Sequence, residues 1–280
     1  VTRCAIEAAA EPLAGTAPRA RWWWLIEVPG SWSRQAVKDC RIPAVRALTS
    51  HDQRRVILVR RPGRHPATDD RAPLRVWFAG AMPGDPPVRL AVANDPGEIL
   101  DWPIEGPTTA VPDPHAPVLA VCTNSSRDLC CGIDGRALVN ALADDPGVWE
   151  CSHLGGHRFA PTALHVPTGL VYGRLISDAA RRLLAQGPNA DTAAWLRGRS
   201  ALAPHVQAAE VELLERGVVP DLNALRVEST DDSALVAFVG APALRLRRAS
   251  GNERPESCGG TPVASASWQV VERLAPRGLE

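Results

Sequence analysis

Two cysteines, Cys122 and Cys131, and two histidines about twenty residues further on, His153 and His157, are the side chains best placed by type and spacing to do chemistry. They stand in C-T-N-S-S-R-D-L-C-C-G and E-C-S-H-L-G-G-H-R-F-A-P. Two thiolates and two imidazoles are the ligand count of a [2Fe–2S] cluster with two Cys on one iron and two His on the other. The same count suits a Cys2His2 zinc site. The eight residues between Cys122 and Cys131 exceed the usual zinc-finger spacing of about two to four, which tilts the reading toward iron–sulfur. Gly155 and Gly156 disfavour helix between the two histidines, so a loop with both imidazoles turned inward is expected.

Other cysteines compete for attention. Cys130 adjoins Cys131, and successive side chains point apart, so one of the two is expected to be a ligand. Cys151-Ser-His153 resembles half of a Rieske motif, but the required C-x-x-H partner is absent from the chain. Cys258, in P-E-S-C-G-G, reads as a turn with a free thiol, or as an approach to the site from outside. Cys4 and Cys40 carry no paired signature. Arg127 and Arg158 flank the motif and could offset the negative charge of a cluster. The absence of C-x-x-C, G-x-G-x-x-G and Walker loops leaves thiol-disulfide and nucleotide chemistry unsupported.

The whole chain sets the frame. It has 280 residues, 45% apolar and 22% charged, an ordinary globular composition that suggests more than one domain. Its 31 basic and 31 acidic residues cancel, so no global field favours nucleic acid or an anionic membrane. Lys38 is the single lysine, and the excess of Arg, Ala and Pro suggests a GC-rich bacterial genome. No run of about 18 apolar residues is present, so no membrane insertion is expected. The odd cysteine count and the lack of a signal-peptide pattern point to a cytoplasmic protein that keeps thiols for metal.

The elements that must position these residues follow from periodicity. Trp22–Val28 reads as a buried strand, 35–48 as a helix interrupted by Pro43, and 55–60, 74–79 and 88–92 as short strands. These make an N-terminal α/β domain over 1–102. Its order could be that of a degenerate, metal-free thioredoxin-like unit. The proline-rich segment 103–117 reads as a linker. Over 118–187 the order is strand to Cys122, helix 135–143 capped by Asp134, strand 148–150, a hairpin around P-T-G, and helix 177–186. This β-α-β, β-β-α order is that of a thioredoxin fold, with Cys122 at a strand carboxyl end. A C-terminal extension, 188–280, is expected to carry helices 191–199 and 204–216 followed by β-rich segments.

At these residues the chain resembles the sucrase/ferredoxin-like family, whose metal-bearing half is a thioredoxin-like ferredoxin. The resemblance rests on E-P-L-A-G-T-A-P (11–18), R-W-W-W-L-I-E-V-P-G-S-W (21–32), C-T-N-S-S-R-D-L-C-C-G (122–132), V-W-E-C-S-H-L-G-G-H-R-F-A-P-T (148–162), G-L-V-Y-G-R-L (169–175) and R-P-E-S-C-G (254–259). It implies an α/β protein built on a thioredoxin-like ferredoxin domain that holds a [2Fe–2S] cluster. In thioredoxin-like ferredoxins the second ligand pair is C-x3-C; here His153-x3-His157 takes its place, the family's His-ligated variant. The resemblance assigns Cys122 and Cys131 to one iron and His153 and His157 to the other, with Cys131 preferred over Cys130 because Gly132 follows it. The implied role is one-electron transfer to or from a redox partner protein, open to proton coupling through the imidazoles. A structural zinc module, or a reductase that passes electrons to a small substrate, are the alternatives.

Overall fold

Alternation within W-W-W-L-I-E decides the first half of the molecule. In the computed structural model, which describes residues 2–63 and 73–275, this run is strand β1 (Trp22–Glu27). Trp23 and Leu25 bury into one core cluster and Trp24 and Ile26 into another on the opposite face. A strand apolar on both sides belongs in the middle of a sheet covered twice. β1 pairs in parallel with β2 (Arg54–Arg60) and antiparallel with β3 (Leu74–Gly80), and β4 (Arg89–Ala93) follows β3. The short helices α1 (Cys4–Glu7) and α2 (Pro43–Ala47) precede β1 and β2.

The second half repeats that arrangement. β6 (Leu119–Cys122) is parallel to β7 (Val148–Cys151) and antiparallel to β8 (Ala163–His165), beside which lies β9 (Leu170–Tyr172). The helix α3 (Arg136–Ala141) connects β6 to β7. The two halves join edge to edge through an antiparallel contact, Val59 opposite Cys151 and Arg60 opposite Glu150. One continuous sheet results, in the order β10-β9-β8-β6-β7-β2-β1-β3-β4-β5. A single cluster containing Trp23, Ile57, Trp77, Trp149, Leu164 and Val171 runs beneath both halves.

Four elements depart from the sequence expectation, each for a physical reason. Residues 34–39 form turns, and Pro43 opens the short helix α2 instead of interrupting a longer one, because a missing N–H is harmless at the first helical position. Within the proline-rich stretch, β5 (Val111–Pro112) pairs with β4 as the outermost strand, where proline's missing N–H costs no ladder bond. The helix expected over 191–199 is only α5 (Ala190–Ala193); Leu196–Arg199 is strand β10, antiparallel to β9 at the opposite edge. Gly198 sits at φ +138° with its α-carbon against Gln207, a conformation that a helix cannot use. Asp134 does not cap a helix. It lies inside a π-helical turn, Cys131–Gly135, that leads directly into α3, and its carboxylate pairs with Arg3.

Helix α4 (Ser177–Gln186) covers the second half, and α6 (Pro204–Glu215) links the large sheet to a small one. The small sheet is an antiparallel meander of β11 (Leu225–Ser229), β12 (Ser233–Phe238), β13 (Ala243–Pro255) and β14 (Pro262–Leu274). Its apolar side packs against α6 through Val236, Phe238, Leu244 and Leu246. The β13–β14 hairpin is much longer than its apolar pattern suggests, and its far end carries Cys258 back toward the large sheet. No described helix is long and apolar enough to cross a membrane.

One buried titratable group links this core to pH. His165 on β8 is held by Thr168 Oγ1 at 2.8 Å, and burial, with Arg199 nearby, lowers its pKa to about 4. The unfolded chain, with an ordinary imidazole near 6.5, therefore binds this proton first as pH falls. Stability from neutral His165 is fully present above about pH 6.5 and is lost progressively down to about pH 4. In urea unfolding, wild type should lose more stability between pH 7 and pH 5 than His165→Gln. Equal losses would show that His165 does not carry the effect.

Candidate metal centre

The parallel register of β6 and β7 places Cys122 directly beside Cys151, both fully buried at the strands' carboxyl ends. From Cys122 the chain leaves as a loop and returns through the π-helical turn that begins at Cys131. Two glycines make that return possible. A side chain at Gly135 would run into the Cys122 carbonyl, and one at Gly132 into Ser125. With hydrogen atoms there, the turn packs flush on the end of β6 and delivers Cys131 to Cys122. Widened π turns of this kind are a common way to aim a side chain at a site.

The histidines arrive on the loop after β7. Gly155 (φ +90°) and Gly156 (φ +73°) reverse the chain between them, and the rings stack with centroids 4.3 Å apart and planes 21° off parallel. His157 turns Nδ1 to within 3.7 Å of Cys131 Sγ. Cys122 lies close enough to Cys131 and His153 for both to lower its pKa. The four residues singled out by spacing are thus neighbours, but the donor atoms that group within 4.8 Å of one another are those of Cys131, His157 and Asp128, without Cys122 or His153. Asp128, also buried, lies within 4.8 Å of the Cys131 and His157 donor atoms.

Electrostatics prepares these donors. The bond from Cys131, with help from His153 and the Asn124 N–H, holds the Cys122 thiol well below its usual range against the opposing effect of burial. Cys131 keeps its proton in return, raised by Cys122 and by burial. Burial, then the neighbouring His153, lowers His157 to about 3, so its imidazole is neutral at pH 7, as a ligand must be. Cys151 is raised well above the normal thiol range by burial and by Cys122 and is a neutral member of the core. Cys130 turns away from Cys131, toward Cys4 and Cys258, and Cys40 packs into the core of the first half.

The positive charge beside the site comes from more residues than spacing suggests. Arg158 is committed to a buried ion pair with Glu11 at 2.8 Å. Arg127 is close enough to help lower the His157 pKa and lines the groove beside His153. Arg197, on β10, is the buried cation next to the histidine loop: it donates to the Gly155 carbonyl at 2.8 Å and to Thr16 Oγ1 at 3.0 Å. Burial foremost, with Arg158 and Arg55 adding to it, lowers Arg197 to about 9, while Cys131 opposes that shift. Nothing in the local sequence L-R-G marks this residue, because only sheet pairing brings β10 near the loop. Its contacts with Thr16 and Gly15 also explain the E-P-L-A-G-T-A-P segment, whose backbone lies along β10.

His153 is the partly exposed donor. It borders a groove of about 440 Å³ lined by Arg34, Lys38, Arg46, Arg55 and Arg127, with no carboxylate among the described residues of its wall. One side of the site therefore faces solvent through a positively charged surface.

A family model described as sucrase/ferredoxin-like matches residues 13–193, about two thirds of the chain. The chain belongs to that family. No curated protein and no solved structure gives a significant match. The matched region contains nine of the ten strands of the large sheet, all but β10, and all four candidate ligands. It ends before the small sheet, so R-P-E-S-C-G lies beyond it. Two buried thiols, the buried His157 and the partly exposed His153, with Asp128 beside them, form a donor set that can hold a metal, and its softness suits a [2Fe–2S] cluster or zinc.

The loop glycines allow a direct comparison. Both occupy left-handed backbone, where a side chain costs about 1–3 kcal/mol. An added Cβ at Gly156 would also meet the Arg197 guanidinium at 2.5 Å, whereas at Gly155 the nearest atom is 3.6 Å away. Gly156→Ala should therefore destabilise the protein by about 1 kcal/mol or more beyond Gly155→Ala, since overpacking against a pinned side chain adds to the strain. Denaturant midpoints of the two variants check this, and the reverse order would contradict the assigned role of Arg197.

Proposed function

We propose that this protein is a one-electron carrier whose [2Fe–2S] cluster is held by Cys122 and Cys131 on one iron and by His153 and His157 on the other. The observation that carries the reading is the convergence of two thiols and two imidazoles in one buried site, in a chain of the sucrase/ferredoxin-like family. When bound, such a cluster supplies reversible one-electron chemistry. The chain's own residues do the rest. Cys122 and Cys131 furnish thiolates inside the sheet, where water is excluded. His157 is buried and neutral, while His153 stands at the rim beside the basic groove. Arg197 fixes the loop that carries both imidazoles and places a positive charge near the thiolates, which favours an electron-rich centre.

The groove names the side on which a redox partner docks. Its five cations favour a partner with an acidic face and quicken the encounter at low salt. The nearness of His153 to that surface gives the shortest path for the electron.

The reading is tested by the visible spectrum of the purified protein. A red-brown chromophore that bleaches with dithionite is expected, with about two irons and two acid-labile sulfides per chain. A colourless protein that stays colourless after anaerobic reconstitution would instead leave a structural Cys2His2 zinc site. Cys122→Ser should abolish the chromophore. His157→Cys should keep it and lower the reduction potential, on the order of 100 mV or more, because a thiolate replaces a neutral ligand.

The groove can be tested separately with a simple anionic oxidant. Oxidation of the reduced protein by ferricyanide should slow as ionic strength rises. The double variant Arg34→Glu, Lys38→Glu should flatten or reverse that dependence with the spectrum unchanged. An unaltered salt slope would remove the groove from the electron's route.

A further inference from the structure

Three cysteines that play no part in the site above meet at its edge. Cys4 comes from α1, Cys130 from the loop that also carries Cys131, and Cys258 from the tip of the β13–β14 hairpin. Their sulfurs form a triangle with sides of 3.7 Å (Cys4–Cys130), 3.6 Å (Cys4–Cys258) and 3.3 Å (Cys130–Cys258). Asp128 completes the group, with Oδ1 3.7 Å from Cys4 Sγ and 3.4 Å from Cys258 Sγ. Its carboxylate is fixed by two backbone donors, the Cys130 N–H at 2.9 Å and the Cys258 N–H at 2.8 Å. Cys4, Cys130 and Asp128 are buried and Cys258 is partly so.

We propose that Cys4, Cys130, Cys258 and Asp128 bind a single zinc ion, a second metal centre that ties α1 and the hairpin tip to the Cys122–Cys131 loop. The donor separations argue for one ion. Tetrahedral zinc with Zn–S of about 2.3 Å and Zn–O of about 2.0 Å spaces its ligand atoms about 3.5–3.8 Å apart, and the donor separations here, 3.3 to 3.7 Å, lie at or just inside that spacing. A disulfide would need sulfurs about 2.05 Å apart. An iron–sulfur cluster would divide three thiolates between at least two irons and so hold at least one of them farther from the others. Three thiolates and one carboxylate form a closed, soft-dominated set with no further protein donor required, the pattern of a structural rather than a catalytic zinc.

The site has a function that the fold makes visible. Three segments separated by more than a hundred residues converge there, and few other bonds hold the hairpin tip: Arg254 to the Glu7 carbonyl, and the half-exposed pair Arg158–Glu256. A metal clip closing such long loops is where a cross-link restricts the unfolded chain most. It also lies against the first site. Asp128 is near the Cys131 and His157 donors as well, and Cys130 and Cys131 are neighbours that face opposite centres. Cys4 and Cys258 fall outside the family-matched residues 13–193, so the centre is completed by segments beyond the matched region.

The test is metal analysis of the full-length chain after exhaustive dialysis, together with three variants. One zinc per chain is expected in addition to the iron of the first site. Cys258→Ser and Cys4→Ser should each lose that zinc while keeping iron and colour, and Cys122→Ser should lose iron while keeping zinc. Cobalt(II) exchanged into the site should show the intense visible bands of tetrahedral thiolate ligation in wild type and not in Cys258→Ser. A colourless wild type with two zinc ions, falling to one in Cys258→Ser, would uphold this centre and reject the iron–sulfur reading of the first. A wild type without zinc that takes up no cobalt would overturn the proposal. So would a Cys258→Ser protein that retains full zinc, or a mass lowered by two hydrogens from a disulfide among these cysteines.

Discussion

The flush contact between the Cys131–Gly135 turn and the end of β6 is the constraint on which the rest of the site depends. Hydrogen-bond pairing alone puts Cys122 at the carboxyl edge of the sheet, beside Cys151. It does not bring a second thiol. That requires the returning chain to approach the Cys122 carbonyl more closely than any side chain permits, which is why residues 132 and 135 are glycine. The widened π turn then rotates Cys131 inward and Cys130 outward. A chain with a Cβ at either glycine would hold the same cysteines in the same order and keep them apart.

Charge is arranged around that contact with equal economy. Several guanidinium groups collect near Phe159, with Arg158, Arg174 and Arg197 all within about 5 Å of its ring. Such crowding would be costly if the cations were unpartnered. Arg158 is paired with Glu11, Arg174 donates to the Ala8 and Glu11 carbonyls, and Arg197 to Gly155 and Thr16. The segment before β1 therefore neutralises and solvates the guanidinium groups that lock the histidine loop. A short stretch with no regular structure over 11–18 serves as part of the site's wall.

The cysteine doublet also gains a meaning. Adjacent side chains that face opposite ways can serve two pockets, and Asp128 two residues before Cys130 stands between them. The first pocket is built at the carboxyl end of β6, with all four candidate ligands from the second half of the sheet and its loops. The second needs α1 and the small sheet as well, so its assembly reports that the outer parts of the molecule have docked. Folding of the extension and completion of the metal-binding region are thereby the same event.

The sequence by itself named the candidate donors of the first site. Cys122, Cys131, His153 and His157 are near one another along the chain, on strand ends and loops whose short-range pattern fixes where they emerge. The β-α-β, β-β-α order of the second half, the doubly buried tryptophan strand and the family likeness were legible for the same reason, since each rests on local periodicity or on contiguous motifs. Tertiary structure alone decided the rest. Leu196–Arg199 has a helical composition but becomes a strand because the open edge of β9 supplies hydrogen bonds that a short helix containing Gly198 cannot match. Cys4 and Cys258 carry no spacing signal, being 254 residues apart. Arg197 is ordinary until sheet pairing buries it beside Gly155. A linear chain records which donors it has; only packing, by excluding water and closing long loops, decides which of them meet.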